Sequence, residues 1–253
     1  MKYRLKKYLH VTKKEHKELH LVAVLIAAVM SANFFFTGEV GRSFFLLIFY
    51  YVIAFIFLVA KTLMQKIRSL QLGYEATYES NITSLIVGIF FSVLSYGLIL
   101  PVFPGTVRIE VNKKLLLGRS TTATFAYRDL FSVGMSGALT LLGFILLLHP
   151  LAFGVNATLF MPIINLLFLL LIFSLVPIPI YSFMSHKFSL APVDGLHLIR
   201  YSRTWYVFIL AFTIFLYFFI ATQTFSAWLF ALIASAITYF IYKKYFDFQL
   251  SKG

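Results

Sequence analysis

Apolar residues run almost unbroken through seven stretches of the chain: 21–36, 44–60, 82–103, 130–149, 157–181, 204–221 and 225–242. None of the seven contains Asp, Glu, Lys or Arg. The pattern predicts helices that are apolar on every side, each near the roughly 17–25 residues needed to cross a bilayer. Between the third and fourth runs the pattern changes. Val107, Ile109 and Val111 alternate with Arg108, Glu110 and Asn112, the period of a strand. Asn112 to Lys114 offers a turn, and Thr121, Thr122, Thr124, Phe125 and Tyr127 offer a second β-prone run. A small β element is therefore expected over residues 105–128. Ahead of the first apolar run, residues 1–18 are polar. Thr12 with Glu15 three residues on has the spacing of a capping box. It predicts a short interfacial helix leading into the first span; a solvated basic tail is the competing reading.

Composition fixes the solvent. Of the 253 residues, 60% are hydrophobic and only 12% charged, with a mean hydropathy of +0.89. A soluble domain carries about 25% charged residues. A chain this apolar cannot hide its side chains in one water-surrounded core, so lipid is its first expected partner. The absence of cysteine excludes disulfides, a thiolate zinc site and a cysteine nucleophile. The net charge of +13 would suggest nucleic acid in a soluble protein. Here it reads as basic cytoplasmic loops, and no nucleic-acid partner is expected.

The basic residues also choose between topologies. With seven crossings and the N-terminus inside, residues 104–129 fall outside, although they carry Arg108, Lys113, Lys114, Arg119 and Arg128. The loop 150–156 then falls inside without a basic residue. Both contradict the positive-inside rule. If residues 82–103 instead enter and leave on one side, 21 of the 22 Lys and Arg lie inside and only Arg42 lies outside. The fold class that follows is an all-α polytopic membrane protein. It has about six transmembrane helices, a re-entrant hairpin over 82–103, a small cytoplasmic-side β element and both termini cytoplasmic. A multi-pass protein of the cell membrane is the expected location.

Ionisable residues in or beside apolar spans are functional candidates by default, because burial there costs a few kcal/mol or more. They are Lys61, Asp194, His149, Glu75 and Glu79. His149, just before Pro150 at a span end, reads as interfacial because no second ligand lies within helical reach. His16 and His20 have the i,i+4 spacing of a metal-binding pair but lack a third ligand. Lys61, Gln65 and Arg68 share one helical face. That face could simply be the cytoplasmic end of a span, with Lys61 reaching out to the headgroups. No H-E-x-x-H, P-loop or G-x-S-x-G occurs, so no catalytic residues are assigned.

An ordered set of short segments over about residues 10–220 resembles the site-2 protease family of intramembrane metalloproteases in its archaeal-type form. V-T-K-K-E-H-K-E-L (residues 11–19) resembles the charged lead-in to the first span. The stretch 61–78 resembles the one in which H-E-x-x-H is followed by a basic residue and G-Y-x-A, here Gly73 and Tyr74. F-P-G-T-V, with Pro104 and Gly105, resembles the P-G-A-V segment. Residues 136–141 fall where a helix of small residues is expected. L-V-P-I-P, with Pro177 and Pro179, and V-D-G, with Asp194 and Gly195, resemble the halves of the N-x-x-P…D-G motif.

The resemblance implies one membrane domain over residues 21–245, between a basic segment 1–20 and a tail 246–253. It also implies a degenerate metal site. Lys61, Thr62, Leu63, Met64 and Gln65 stand on H-E-x-x-H, Ser174 stands on the asparagine, and residues 181–192 are inserted before the D-G; only Asp194, the third metal ligand, matches. One carboxylate does not hold zinc, since catalytic sites keep three protein ligands. The implied protein is an inactive pseudoprotease without metal or cofactor that binds a transmembrane segment or membrane-protein partner. Two alternatives stand beside it: an active zinc protease with atypical ligands such as His149 with Asp194, and a small transporter. A lone carboxylate in the membrane interior needs a cation. Lys61, on the first histidine position, would supply one within about 4 Å, with Gln65 donating one turn along. If the insertion instead moves Asp194 into water, Lys61 stands alone.

Overall fold

The first helix opens on a reciprocal cap. The Glu15 N–H donates to Thr12 Oγ1 at 3.2 Å, and the Thr12 N–H donates to Glu15 Oε2 at 2.7 Å, which satisfies two donors that a helix start leaves open. In this computed structural model the described residues are 11–36, 38, 40–80, 82–96, 104–111, 127–176, 179–182, 187–190, 194–221 and 227–244. From the cap, α1 (Lys13–Phe36) runs without interruption into the first apolar stretch. The next helix, α2 (Val40–Leu72), returns antiparallel beside it. At 33 residues it is about 50 Å long, well beyond the apolar run 44–60, so Lys61, Gln65 and Arg68 ride on the same rigid rod. Gly73, with φ +87°, ends it in the left-handed conformation that a helix C-terminus favours.

A strand follows directly. β1 (Tyr74–Glu79) buries Tyr74, Ala76 and Tyr78 and leaves Glu75, Thr77 and Glu79 half-buried. It pairs antiparallel with β2 (Thr106–Val111), from Tyr74 opposite Val111 to Glu79 opposite Thr106. This corrects the expected β element. β2 is the strand read from its alternation, but its partner precedes it in the chain, because Y-E-A-T-Y-E offers an apolar face on β1. Tyr127 lies in a helix rather than a strand, and residues 112–126 lie outside the described residues.

The pairing constrains residues 80–105. They leave the sheet at Glu79 and return at Thr106, its neighbour across the ladder. The helix between, α3 (Ile82–Leu94), has 13 residues, about 20 Å. That is short of the roughly 30 Å of a hydrocarbon core. Residues 97–103 lie outside the described residues.

The second half is α4 (Tyr127–Gly154), α5 (Ala157–Leu175), β3 (Pro179–Ser182), β4 (Lys187–Leu190), α6 (Asp194–Tyr201), α7 (Arg203–Ala221) and α8 (Ala227–Tyr242). α5 begins on an Asn156 cap that accepts from the Leu159 N–H at 3.3 Å. It ends at Leu175, earlier than the apolar run 157–181 suggested. Val176 is extended at φ −79°, ψ 112°, as expected of a residue before a proline. The supposed insertion 181–192 contains the second half of an antiparallel hairpin, β3 with β4. α5 lies at the centre: Ile164, Leu166, Leu167, Phe168, Leu170 and Leu171 are all fully buried.

The described residues are thus mostly helical, with two small two-stranded sheets. Among the described residues, four helices are long and apolar enough to cross a membrane, within Gly41–Leu72, Arg128–Ala152, Ala157–Leu175 and Arg203–Ile220; α8 is apolar but shorter. Their outer faces leave large apolar side chains uncovered, among them Phe44, Phe45, Leu147 and Phe218. A water-soluble monomer rarely exposes so much apolar surface, and these faces suit lipid.

A buried ion pair fastens α1, α2 and β1 together. Lys66 Nζ lies 2.7 Å from Glu15 Oε1, both side chains 3% exposed, and Glu15 Oε1 also accepts the Tyr78 N–H at 2.8 Å. Burial raises the Glu15 carboxyl, but the Lys66 ammonium and the Tyr78 and Thr12 N–H groups more than reverse this and hold it below its ordinary value. A carboxyl lowered by folding contributes stability that is present above its unfolded pKa, about 4.5, and lost as pH falls through the folded value. The thermal unfolding midpoint should therefore drop as pH is lowered below about 4.5. In Glu15→Gln, scanned over the same range, the slope should be shallower; an unchanged slope would exclude Glu15 as its source.

Candidate functional site

Asp194 is the first residue of α6 and is 1% exposed. A carboxylate so placed must be paired and hydrogen-bonded or neutralised. Lys61 Nζ lies 2.8 Å from its Oδ2, with the two side chains 2% and 1% exposed. Gln65, one turn further along α2, donates from Nε2 to Oδ1 at 2.9 Å. Thr106, at the start of β2, donates to the same oxygen at 3.1 Å. The ammonium also donates to the Gly105 carbonyl at 3.4 Å. The short Lys61–Asp194 contact is an ion pair outside hydrogen-bonding alignment, so Oδ2 receives no directional bond among the described residues. Attraction at this distance in a water-poor site does not require alignment.

Backbone packing holds the cluster. Gly195 sits so close to α5 that a Cβ there would overlap the Leu175 carbonyl. A Cβ on Gly137 of α4 would come within 2.5 Å of the Gln65 amide, and one on Gly134 within 3.1 Å of the Asp194 carbonyl oxygen. Glycine at these three positions lets α4, α5 and α6 close around the carboxylate. On the β side, the Tyr78 hydroxyl donates to the Pro104 carbonyl at 2.8 Å. Gly105 at φ +69° turns the chain into β2 where a Cβ would strike Tyr78. The Tyr78 phenol is pushed up by burial, reinforced by the negative charges of Glu18 and Asp194, and so remains a donor.

The other residues marked from sequence fall in different places. Thr62 is equally buried, one residue along α2 from Lys61. Ser174 donates to Leu171 of its own helix at 2.9 Å. Gly73 ends α2, and Tyr74 ties β1 to α4 through its hydroxyl on Asp129, at 2.7 Å. Pro179 opens β3; Pro177 lies outside the described residues. Arg68 reaches α4, the helix that also packs on Gln65, and donates to Ser132 at 2.6 Å. His149 is 2% exposed inside α4, which continues through Pro150 to Gly154, rather than standing open at a span end. Gly134, 15 residues earlier on α4, is the residue that packs on Asp194. A helix rising 1.5 Å per residue sets His149 about 22 Å along from there, too far to share an ion with Asp194.

Sequence reasoning missed Thr106, the Gly105 carbonyl and the Lys66–Glu15 pair. It also missed His197, one turn after Asp194, whose Nδ1 is buried without a partner among the described residues. Thr106 had a signal in the F-P-G-T-V segment. The others depend on which faces of α1, α2 and α6 turn inward.

The donor set does not fit zinc. No group of three or more His, Cys, Asp or Glu converges among the described residues. Lys61 brings an ammonium, which cannot ligate a cation, and Gln65 and Thr106 present donors to the carboxylate rather than lone pairs. The arrangement fixes a buried carboxylate between an ammonium and two hydrogen-bond donors. No family model, curated protein or solved structure matches the chain.

Removing one partner of a buried pair strands the other, at a cost of about 3–5 kcal/mol. Lys61→Met should destabilise the protein by that order in chemical unfolding in detergent. Adding Asp194→Asn should recover much of the loss; a double variant as unstable as the sum of the singles would rule out coupling. Gly195→Ala should cost more than about 3 kcal/mol, because backbone rather than a flexible side chain blocks the new Cβ. Gly143→Ala, which meets nothing within 4 Å, should be tolerated.

Proposed function

We propose that the chain is a non-catalytic relative of site-2 proteases that binds a transmembrane segment or a membrane-protein partner. The observation that carries this reading is the Lys61–Asp194 ion pair at 2.8 Å with Gln65 on the second oxygen. By the resemblance, Lys61 and Gln65 stand on the two metal-binding histidines and Asp194 on the third ligand. The three meet across 129 residues of chain at one buried point, as an alignment built on metal ligands requires. A cation still satisfies the aspartate, but it is covalently part of α2, and no metal-ligand set of three or more His, Cys, Asp or Glu replaces the lost histidines among the described residues.

The same reading gives six spans with both termini cytoplasmic and residues 82–103 re-entrant. The out-and-back path fixed by Glu79 opposite Thr106 supports it. The family's need to admit a partly unwound substrate gives the hairpin and the β1–β2 sheet a use in binding a partner segment.

Single cysteines at Glu79 and at Glu110 should both label from the cytoplasmic side; the chain has no native cysteine to interfere. Labelling from opposite sides would overturn the topology. A photocrosslinker at Arg108, exposed on β2, should trap an uncleaved membrane protein in native membranes. Adducts with truncated partners, or zinc retained by the purified chain and lost in Asp194→Asn, would overturn the non-catalytic reading.

A further inference from the structure

His16 and His20 stand one turn apart on α1, outside the cluster around Asp194. Their Nε2 atoms are 2.8 Å apart. The ring planes are perpendicular and the centroids 4.3 Å apart. A straight N–H···N bond, with a ring radius added at each end, would separate the centroids by about 5 Å. The contact is therefore bent, with the two ring axes meeting at an angle rather than end to end.

Imidazole nitrogens bind a transition-metal ion at about 2.0–2.1 Å. Two of them in adjacent corners of a square plane stand about 2.9 Å apart, and in a tetrahedron about 3.3 Å. The observed 2.8 Å matches the square-planar bite.

The surroundings hold the rings in this pose. His20 Nδ1 lies 2.6 Å from the Tyr51 hydroxyl on α2. In the tautomer that donates Nδ1–H to Tyr51 Oη, the Nε2 lone pair of His20 faces His16. This is the support that metal-bound histidines draw from a neighbouring oxygen. Phe55 stacks on the His20 ring at 4.3 Å and 12°, and meets the edge of His16 at 5.8 Å. His16 is exposed and His20 half-buried, so an ion can reach the pair from outside.

We propose that His16 and His20 form a two-histidine site for a divalent transition-metal ion, with Cu2+ the best-suited ion and water completing its coordination. The proton that His16 Nε2 shares with His20 Nε2 moves through water to His16 Nδ1 when the ion takes its place, so both rings bind as neutral imidazoles. Zn2+, which prefers the tetrahedron, needs the pair to open by about 0.5 Å and binds more weakly. Cu2+ also stands highest in the general affinity order for such ligands.

The test is Cu2+ titration of the purified full chain in detergent, followed by electron paramagnetic resonance. One Cu2+ per chain should bind, with a tetragonal spectrum split by two imidazole nitrogens. His16→Ala and His20→Gln should each weaken binding more than about tenfold, and Tyr51→Phe by about tenfold through the lost support. His16 is exposed, so its replacement leaves the fold intact, and circular dichroism checks this. Lys61→Met with Asp194→Asn should bind Cu2+ as the parent does, which separates this site from the degenerate one. Equal binding by the parent and the His16→Ala/His20→Gln double variant would overturn the proposal. So would the absence of a stoichiometric site, which would leave the pair as a hydrogen bond only.

Discussion

A carboxylate in an apolar molecule sets the terms for everything around it. Asp194 is almost fully buried, and a free charge there would cost many kcal/mol. Three elements converge to prevent that: α2 brings Lys61 and Gln65, β2 brings Thr106, and the turn before β2 brings the Gly105 carbonyl to the ammonium. α4 and α5 make room through Gly134, Gly137 and the close approach of Gly195 to Leu175. The small residues and the charged ones are thus two sides of one requirement. The charges need short distances, and short distances between helices need positions without a Cβ.

α2 repeats the solution on another face. Lys66 follows Lys61 by five residues, which turns it about 140° around the helix. One ammonium faces α6 and β2; the other faces α1 and β1. Both acidic partners lie in the first turn of their helices, Glu15 in α1 and Asp194 in α6, where the helix dipole already favours negative charge. The two pairs also act on the two strands of β1–β2. Glu15 accepts the Tyr78 N–H, while Asp194 accepts from Thr106. The β1–β2 sheet, whose two strands alone would be marginal in water, is therefore tied down by Glu15 of α1 and Asp194 of α6, each paired with a lysine of α2.

How much of this is legible in the sequence depends on the range of the interaction. The Thr12–Glu15 cap is legible because it is local, three residues apart with a fixed geometry. The apolar helices are legible because lipid imposes length and composition. Lys61 with Asp194 is legible only through the resemblance: 133 positions separate them, and no local rule pairs them. The strand partner of β2 is hidden for the opposite reason. Y-E-A-T-Y-E alternates as clearly as T-V-R-I-E-V, but it also reads as a motif segment, and the β-prone residues up to Tyr127 lie nearer to β2 along the chain. Nearness in sequence favours the wrong pair over the better apolar face. Glu15 shows the limit most clearly. Its capping role is plain, while its pairing with Lys66 depends on the antiparallel register of α1 on α2, which hydropathy does not encode.

On the proposed reading, the exchange of histidines for lysine and glutamine is a change in mobility as much as in chemistry. A metal ion at this point would hold an exchangeable water and an open coordination position for a substrate carbonyl. An ammonium offers only donors, three of them, and here it spends its contacts on Asp194 and Gly105. The Gly105 carbonyl matters most, because it leads into β2, the strand that faces Thr77 and Glu79 across the ladder. Lys61 thereby links the aspartate to the sheet. Anything that displaces residues 104–106 also loosens a buried ion pair, and whatever loosens the pair frees the start of β2. A segment bound along that sheet would be coupled to the charged core through one side chain. Under the proposed reading, the contact that joins the ion pair to Gly105 also fixes the strand on which a partner would rest.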